Sequence, residues 1–369
     1  MIPVNEPVIG ARERELVLEC LDTGWISSDG PFVARFEKEF AASVNRKIGI
    51  AVCNGSVALD AALHALQLEP GDEVILPTFT IISCVTAILR AGAVPVAVDC
   101  DPLTWNSTPE AILAAVTPKT RAIMVVHIYG LPVDMDPILD FAKARGIKVI
   151  EDAAEAHGLT YKGRPCGSLG DISTFSFYPN KHVTTGEGGM IVTDDEALAK
   201  RSQSARNLGF NNAQRFIHDE LGWNYRMTNL QAALGIGQLG RLDGVIAKKR
   251  AMGRRYRELL GGDNRIQLPQ ERSAGAENTY WVFGIVLSDA VPFDAREMMR
   301  RLAERQIGTR PFFWPMHEQP VLRKMALFEG VSLPAAEHIA RRGFYVPSGV
   351  ALTDEQMVEV AKAVKEVLA

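Results

Sequence analysis

The sequence predicts an α/β protein built on a large, mostly parallel sheet and completed by a smaller α+β C-terminal domain. Between residues 48 and 152, short apolar runs alternate with helical patterns, as in a series of strand–helix–strand units. The runs are apolar at nearly every position, which is typical of strands buried on both faces. A length of 369 residues is enough for two domains, and the pattern changes after residue 261.

Two helices joined by a loop are predicted before the first strand. Residues 11–21 carry Leu16 and Cys20 at helical spacing. A second helix follows Pro31, a residue suited to a first helical turn. Residues 24–30 between them begin and end with glycine and indicate a loop.

The alternating region then supplies the sheet and the helices that cover it. Parallel strands joined by helices end at one common edge, where open α/β sheets bind their ligands. Strands are predicted at residues 48–53, 71–77, 93–99, 120–128, 147–152, 171–178 and 188–194, and helices at residues 57–67, 80–92, 108–116, 135–146 and 195–206.

The C-terminal part follows a long helical stretch, residues 229–260, whose Gly235, Gly237 and Gly240 permit close packing or bends. Beyond it, strand and helix patterns mix, as in an α+β domain. A strand is predicted at residues 279–287, and helices are predicted at residues 294–306 and 353–368. These patterns place a boundary near residue 245, giving a large domain of residues 1–245 and a small domain of residues 246–369.

Composition excludes several classes of protein. With 40 Lys+Arg against 44 Asp+Glu the net charge is −4, so no broad cationic surface for nucleic acid is expected. The apolar region 76–98 is interrupted by Pro77, Arg90 and Pro95, and the first residues do not resemble a signal peptide. Five cysteines without a CxxC pair indicate reduced thiols. We therefore expect a cytoplasmic enzyme with neither a nucleic-acid nor a membrane partner.

The first candidate site residues lie where the strand at residues 48–53 passes into a helix. Gly55 permits a tight turn there, and the amides of Ser56 and Val57 open the helix. Free N–H groups at a helix N-terminus attract anions. The alternative is an ordinary helix start with Ser56 as its cap.

Two carboxylates, Glu151 and Asp152, end the buried strand at residues 147–152. Charged groups at the carboxyl end of such a strand need either partners or a function. The alternative is that the aspartate caps the helical segment that follows.

Lys181 follows the strand at residues 171–178 and precedes the glycine-rich turn at residues 186–189. A lone loop lysine is ordinarily a surface residue, but this one accompanies an anion site and a strand-end aspartate. Pyridoxal phosphate needs these three groups, for its phosphate, its pyridine nitrogen and its covalent attachment to an amine. The sequence has no metal-ligand spacing and no GxGxxG or Walker-type loop, so no metal is expected.

The sequence resembles the DegT/StrS class of nucleotide-sugar aminotransferases over nearly its whole length. The resemblance rests on the stretches IPVNEP, GWISSDGPFVARFE, NGSVALDAALHAL, GDEVILPTFT, VHIYG, IEDAAEAHG, GSLGDISTFSFYPNKHVTTGEGGM, NYRMTNLQAALG and RPFFWPMH. It implies the pyridoxal phosphate-dependent transferase fold type I, that of aspartate aminotransferase. Within the class, VHIYG, TFSFYPNK, NYRMTN and RPFFWPMH are most similar to the members that use L-glutamate to aminate C4 of GDP-4-keto-6-deoxy-D-mannose.

The resemblance also implies roles for individual residues. Lys181 would bond to the cofactor and move a proton, and Asp152 would pair with the pyridine nitrogen. The other cofactor contacts would be Gly55, Ser56, Val57 and Ser176 at the phosphate, Ile81 and Ala154 at the ring faces, and Glu155 near the ring hydroxyl. Ile81 departs from the aromatic residue common in the class and forgoes offset stacking.

Asn224 would reach the phosphate in a neighbouring subunit, so the resemblance implies shared active sites in a homodimer or a higher oligomer. Substrate contacts are predicted in the N-terminal loop, at Trp25, Ile26 and Ser27, and in the C-terminal part, at Arg310, Phe312, Phe313 and His317. An arginine suits a diphosphate and an aromatic ring can stack on a base. The alternative for the C-terminal set is a cluster that packs the two domains together.

Two histidines leave alternatives open. His127 and the nearby Tyr129 could position the Asp152 loop or contact substrate. His182, next to Lys181, could relay protons or serve as a hydrogen-bonding spacer.

Three other functions remain open from the sequence. One is amination of a different sugar nucleotide, linked to dTDP or UDP and carrying its keto group at C3 or C4. Another is a related sugar 3-dehydratase, in which histidine replaces the lysine, and His182 could take that place only through a one-residue shift of the alignment. The third is a catalytically silent binding protein, which would be expected to lose Asp152 or Lys181, both present here.

Overall fold

The computed structural model describes residues 1–210 and 216–369, and its centre is a seven-stranded sheet. The strands of the first part of the chain are β1 (Ile48–Val52), β2 (Glu73–Pro77), β3 (Val94–Val98), β4 (Thr120–Val126), β5 (Lys148–Asp152), β6 (Thr160–Tyr161), β7 (Arg164–Pro165), β8 (Ile172–Ser176) and β9 (Gly189–Thr193). The sheet order is β1-β9-β8-β5-β4-β2-β3, and β9 is antiparallel to both neighbours while the other pairings are parallel. The predicted largely parallel sheet is confirmed.

Helices cover both faces of this sheet. They are α1 (Ala11–Thr23), α2 (Pro31–Ser43), α3 (Gly55–Ala65), α4 (Ser83–Arg90), α5 (Pro109–Ala114), α6 (Met135–Arg145), α7 (Glu196–Arg206), α8 (Asn229–Leu239) and α9 (Leu242–Leu260). Leu76 and Ile150 belong to the apolar core that includes α3, α4 and α7, whereas their neighbours Ile75 and Val149 belong to the core that includes α1, α2 and α6. Successive strand residues thus enter opposite cores, which explains the unbroken apolar runs.

The helical stretch at residues 229–260 forms two helices, separated at Gly240 and Arg241. At the break, Arg241 Nη1 donates to Oε1 of the buried Glu13 in α1 at 2.9 Å. Close packing occurs as well, because a Cβ on Gly237 would lie 2.6 Å from the Cγ atom of Glu13. Gly237 therefore provides the close approach that the sequence allowed, and the break between the helices lies at Gly240 and Arg241.

The C-terminal part contains a four-stranded antiparallel sheet of order β10-β13-β15-β14. Its strands and helices are β10 (Ile266–Gln267), β11 (Arg272–Ser273), β12 (Ala276–Glu277), β13 (Phe283–Leu287), β14 (Arg310–Pro311), β15 (Gly343–Val346), α10 (Ala295–Glu304), α11 (Pro320–Lys324), α12 (Pro334–Arg342) and α13 (Asp354–Leu368). The strand predicted from residue 279 starts at Phe283, because Tyr280 has a φ of 48° and lies outside the extended region.

The proposed boundary at residue 245 falls in the first turn of α9, which continues into the C-terminal part. The N-terminus also packs against the C-terminal part, since Ile2 pairs with Ile307 and lies in the apolar core around β13 and β15. Among the described residues, no helix has both the length and the apolar character needed to span a membrane.

Candidate active site

A cavity of about 650 Å³ opens at the carboxyl ends of the parallel strands. Its lining combines residues that follow β1, β2, β5 and β8 with residues from the C-terminal sheet. The predicted cofactor residues on its wall are Gly55, Ser56, Val57, Ile81, Asp152, Ala154, Glu155, Ser176 and Lys181. Most of the site predicted from the sequence is therefore brought together by the fold.

The start of α3 forms an anion cradle at one end of the cavity. Asn54 caps the helix by accepting the Val57 amide at 3.0 Å, so that amide is engaged and the prediction that it is free is wrong. The amides of Gly55 and Ser56, in the same first turn, have no intrahelical acceptor. A Cβ on Gly55 would lie 2.7 Å from the Cβ of Ser176, so this close approach requires glycine.

Hydroxyl groups surround the same helix start. The Ser56 Oγ lies 2.7 Å from the Oγ of Ser83, and both residues line the cavity together with Ser176. Amides, hydroxyls and the positive end of a helix dipole form a set of donors suited to a phosphate.

Asp152, the last residue of β5, is 3% exposed and lines the cavity. Its Oδ1 accepts the Ala154 amide at 3.1 Å, and its Oδ2 accepts a hydrogen bond from the Cys84 thiol at 3.3 Å. Burial raises the pKa of the Asp152 carboxyl group. A cation placed beside it would favour the ionised form.

Lys181 extends into the cavity between an acid and an aromatic ring. Its Nζ lies 3.9 Å from Oε1 of Glu155 and 3.7 Å from the centre of the Trp281 ring. Burial lowers the pKa of Lys181, and burial raises the pKa of Glu155 to about 7. The other carboxylate oxygen of Glu155 accepts the Tyr129 amide at 2.8 Å, which fixes the orientation of this acid.

Glu151 lies outside the cavity although it adjoins Asp152. Its carboxylate is fully buried and accepts hydrogen bonds from the amides of Gly167, Leu169 and Gly170, from Ser173 Oγ and from His127 Nε2. Burial alone raises the pKa of Glu151, but the bond from His127 and those from the amides outweigh it and bring the pKa to about 2. The two strand-end carboxylates therefore divide into one that faces the cavity and one that organises the loop after β7.

The two histidine alternatives are decided by contacts. His127 accepts the Val133 amide at Nδ1 and bonds to Glu151 through Nε2, so it anchors this loop network. His182 is buried outside the cavity lining, and its Nδ1 lies 3.2 Å from the carbonyl oxygen of His157. It therefore acts as a hydrogen-bonding spacer behind Lys181.

The predicted substrate residues of the C-terminal part separate into two groups. Phe313 lines the cavity, and Arg310 is exposed at the strand pair with Tyr345, another lining residue. Phe312 does not reach the cavity, because it is buried with its ring 5.0 Å from those of Trp105 and Tyr129.

His317 is also placed differently from the prediction. It is buried between Thr78 Oγ1, 2.8 Å from its Nδ1, and Glu337 Oε1, 3.0 Å from its Nε2. Phe312 and His317 were predicted to contact substrate, and this prediction is corrected. Phe312 packs between the two parts of the chain, and His317 forms hydrogen bonds between them.

Four further predicted residues lie outside the cavity of a single chain. Trp25, Ile26, Ser27 and Asn224 are all exposed. The carbonyl groups of Trp25 and Ser27 accept hydrogen bonds from Asn229, which fixes their loop against α8. One chain alone therefore leaves these side chains free of the site.

The cavity wall also contains residues that were not predicted as site residues, among them Ser83, Tyr178, Trp281 and Tyr345. Ser83 opens α4 just after the carboxyl end of β2, and Tyr178 lies within the Lys181 motif, so their positions carried a local signal. Trp281 and Tyr345 come from the C-terminal sheet, and no local pattern relates them to Lys181.

Comparisons with known proteins agree with this geometry. The DegT/DnrJ/EryC1/StrS aminotransferase family matches residues 7–365. The chain is 42% identical over 365 residues to the GDP-perosamine synthase of Escherichia coli O157:H7, covering 99% of this chain and 98% of that protein. It is also 42% identical over 368 residues to the GDP-perosamine synthase of Caulobacter vibrioides, covering 100% and 98%. The crystal structure of the aminotransferase TlmJ from Streptoalloteichus hindustanus superposes with a TM-score of 0.92 at 30% identity, covering 99% of this chain and 98% of that one, so the fold is that of type I transferases.

Proposed function

This chain belongs to the DegT/DnrJ/EryC1/StrS aminotransferase family, and from that premise we propose that it transfers the amino group of L-glutamate to C4 of GDP-4-keto-6-deoxy-D-mannose, forming GDP-perosamine. The chain is an aminotransferase of nucleotide sugars, and its cofactor is pyridoxal 5′-phosphate. The observation that carries the proposal is the meeting of Lys181, Asp152 and the start of α3 in one cavity. The choice of the GDP-linked sugar is supported by the full-length identity to two GDP-perosamine synthases.

The residues of the cavity fit this cofactor. Glycine at position 55 lets the first turn of α3 approach Ser176 closely, so the amides of that turn and the Ser176 hydroxyl lie together on the cavity wall. Ser56 and Ser176 would hold the phosphate, Asp152 would face the pyridine nitrogen, and Lys181 would attach the cofactor covalently. When bound, the cofactor supplies an electron sink that allows the C–H bond beside the transferred amino group to ionise.

Asp152 holds a proton on the pyridine nitrogen in this proposal. Its carboxylate is fixed at both oxygens, by the Ala154 amide and the Cys84 thiol, and it lies in a buried site where a cation–anion pair is strong. Burial raises the pKa of Asp152, and this carboxylate would stay ionised beside a protonated ring nitrogen because the nearby positive charge favours the ionised form.

Lys181 moves the proton between the substrate carbon and the cofactor. A lysine with a lowered pKa has a larger neutral fraction near pH 7, as a general base requires. Glu155 and Trp281 lie on two sides of Nζ and restrict where the amine can go. The same amine then acts as the acid when the proton is returned.

The working unit in this proposal is a homodimer. Large apolar side chains are exposed near the predicted inter-subunit residue Asn224, including Leu221 and Trp223, and others are exposed on and after α1, including Leu21 and Trp25. A second copy that covers these side chains would bury apolar surface and bring Asn224 toward the phosphate cradle.

Two of the alternatives are less well supported. A dehydratase would need histidine in the place of the lysine, yet Lys181 lines the cavity and His182 lies outside it. A silent protein would not need both Lys181 and Asp152 on the cavity wall. Amination of a dTDP- or UDP-linked sugar uses the same groups and is an outcome of the experiment.

The test converts the enzyme to its amine-loaded form with L-glutamate and then offers 4-keto and 3-keto sugar nucleotides. With GDP-4-keto-6-deoxy-D-mannose, we expect the absorbance that the enzyme had before glutamate was added to return rapidly. We also expect a product with the mass of GDP-perosamine. Preference for another sugar nucleotide would contradict the substrate, and failure of glutamate to react would contradict the donor. Lys181→Ala should reduce turnover by at least about 10³-fold. Lys119→Ala, at an exposed lysine, serves as the control.

A further inference from the structure

Lys249, in the middle of α9, is buried without a compensating charge. It is 3% exposed, and burial alone lowers the pKa of its amine to about 7, so no carboxylate among the described residues offsets the loss of water. Burying such a group costs free energy unless its hydrogen bonds compensate. The contacts that Lys249 makes therefore indicate what it does.

Lys249 bonds to two carbonyl groups at the ends of neighbouring strands. Its Nζ donates to the carbonyl of Trp281 at 3.0 Å and to the carbonyl of Ser348. Trp281 precedes β13 and Ser348 follows β15, and these strands pair with Phe283 opposite Val346. The lysine thus fixes the end of the C-terminal sheet that borders the cavity.

Trp281 in turn makes two contacts with the loop that carries Lys181. Its indole Nε1 donates to the carbonyl of Asn180 at 2.9 Å, and its ring centre lies 3.7 Å from Nζ of Lys181. An aromatic face at this distance stabilises an ammonium group. One continuous set of contacts leads from Lys249 through Trp281 to Lys181.

We propose that Lys249 is a positioning residue for transamination: its bond to the Trp281 carbonyl holds the indole ring against Lys181 and so sets the protonation of that amine. The proposal rests on the proposed role of Lys181 but not on the identity of the sugar. Lys249 itself is not part of the cavity lining, and its amine donates to the carbonyls of Trp281 and Ser348, so it would act on the reaction through Trp281.

The other titratable groups around Lys181 also affect the protonation of its amine. Those facing its amine are Glu155, Asp152, His157 and His182. The two carboxylates favour the ammonium form. Burial lowers the pKa of His157 to about 3 and also lowers that of His182, which faces Lys249 as well, so both rings are uncharged near neutral pH. Loss of the indole contact should therefore lower the pKa of Lys181, because the ring stabilises only the charged amine.

The experiment is a double-mutant cycle on the holoenzyme with Lys249→Met and Trp281→Leu. The rate of the half-reaction is measured against pH at saturating glutamate, where the Lys181 amine has been released from the cofactor, and tryptophan emission is recorded without any substrate. We expect each single variant to move the ascending limb of the rate profile to lower pH by about half a unit to one unit. The double variant should move it no further, since both changes remove the same contact.

Controls separate this role from a merely structural one. Lys248→Met changes an exposed neighbour and should leave the profile and the emission unchanged. Lys249→Arg keeps the charge and the donors and should restore most of the wild-type profile, and Lys249→Gln replaces the Met variant if that protein does not fold. Additive shifts, a shift to higher pH, or a lower melting temperature with an unchanged profile would overturn the proposal. Because emission needs no substrate, an altered spectrum is informative even if glutamate is not the donor.

Discussion

The thiol of Cys84 donates a hydrogen bond to Oδ2 of Asp152 at 3.3 Å, at the point where α4 meets the end of β5. Both side chains are buried, and Thr80 Oγ1 lies 3.4 Å from the same sulfur. Burial and the neighbouring Asp152 carboxylate raise the pKa of Cys84, so the thiol remains a proton donor at physiological pH. The orientation of the aspartate therefore depends on a residue from a different strand–helix unit.

Cys84→Ala should reduce kcat for transamination by about 3- to 10-fold, the loss expected when one hydrogen bond from a weak thiol donor, of about 1 kcal/mol, is removed. Cys84→Ser keeps a hydroxyl donor and should recover most of the rate. Steady-state kinetics of both variants provide the measurement, with Cys166→Ala as a control because this thiol is buried away from the cavity. Equal losses for the Ala and Ser variants would show that the hydrogen bond does not matter.

Gly55→Ala should weaken cofactor binding by more than about 10-fold, because the added Cβ would lie 2.7 Å from the Cβ of Ser176 and force the start of α3 away from the other phosphate donors. Equilibrium dialysis against pyridoxal phosphate measures this loss. Gly244→Ala is the matched control: it adds a Cβ to a helical glycine with open space around it and should stabilise α9 by up to about 1 kcal/mol. Wild-type cofactor affinity in Gly55→Ala would refute the cradle.

Glu151 should contribute to stability above about pH 4.5 and lose that contribution as the pH falls toward 2. Its pKa in the folded protein is about 2 against an ordinary value of 4.5, so the ionised form is favoured by folding. The difference corresponds to about 3 kcal/mol at neutral pH. Urea unfolding of Glu151→Gln at pH 7 should show a loss of about 2–3 kcal/mol, and the deficit should shrink at pH 3.

The exposed Glu69→Gln is the control for that substitution, and its unfolding free energy should stay within about 0.5 kcal/mol of the wild type. If the loss of unfolding free energy in Glu151→Gln did not change with pH, the hydrogen bonds of Glu151 would stabilise the fold and its charge would not.

Phe312 and Phe313 should respond oppositely to replacement by leucine. Phe312 packs between the two parts of the chain, so Phe312→Leu should lower stability by about 1–2 kcal/mol and leave KM for the sugar nucleotide unchanged. Phe313 lines the cavity, so Phe313→Leu should raise that KM several-fold with little effect on stability. Thermal unfolding and initial rates on the two proteins distinguish the roles, and a KM effect at Phe312 would restore the original sequence prediction.

The N-terminal alternation of strands and helices could be read from the sequence because each apolar run and each helical pattern is a local signal. The same local signals located Gly55, Asp152 and Lys181, since parallel strands necessarily present their carboxyl ends at one edge. The short elements β14, β15 and α11 were not predicted, because two to five residues are too few to establish a period.

The sequence by itself determined the α/β architecture, the cofactor and the residues that follow each strand. Only the tertiary structure decided between adjacent candidates: Glu151 and Asp152 are neighbours on β5, but successive residues of a strand face opposite sides, so one carboxylate enters the cavity and the other a loop network. It also brought Trp281 to Lys181 and Cys84 to Asp152, across 100 and 68 positions of the chain. Such contacts depend on how separate elements pack, and a local pattern in the sequence contains no information about which distant residues will meet.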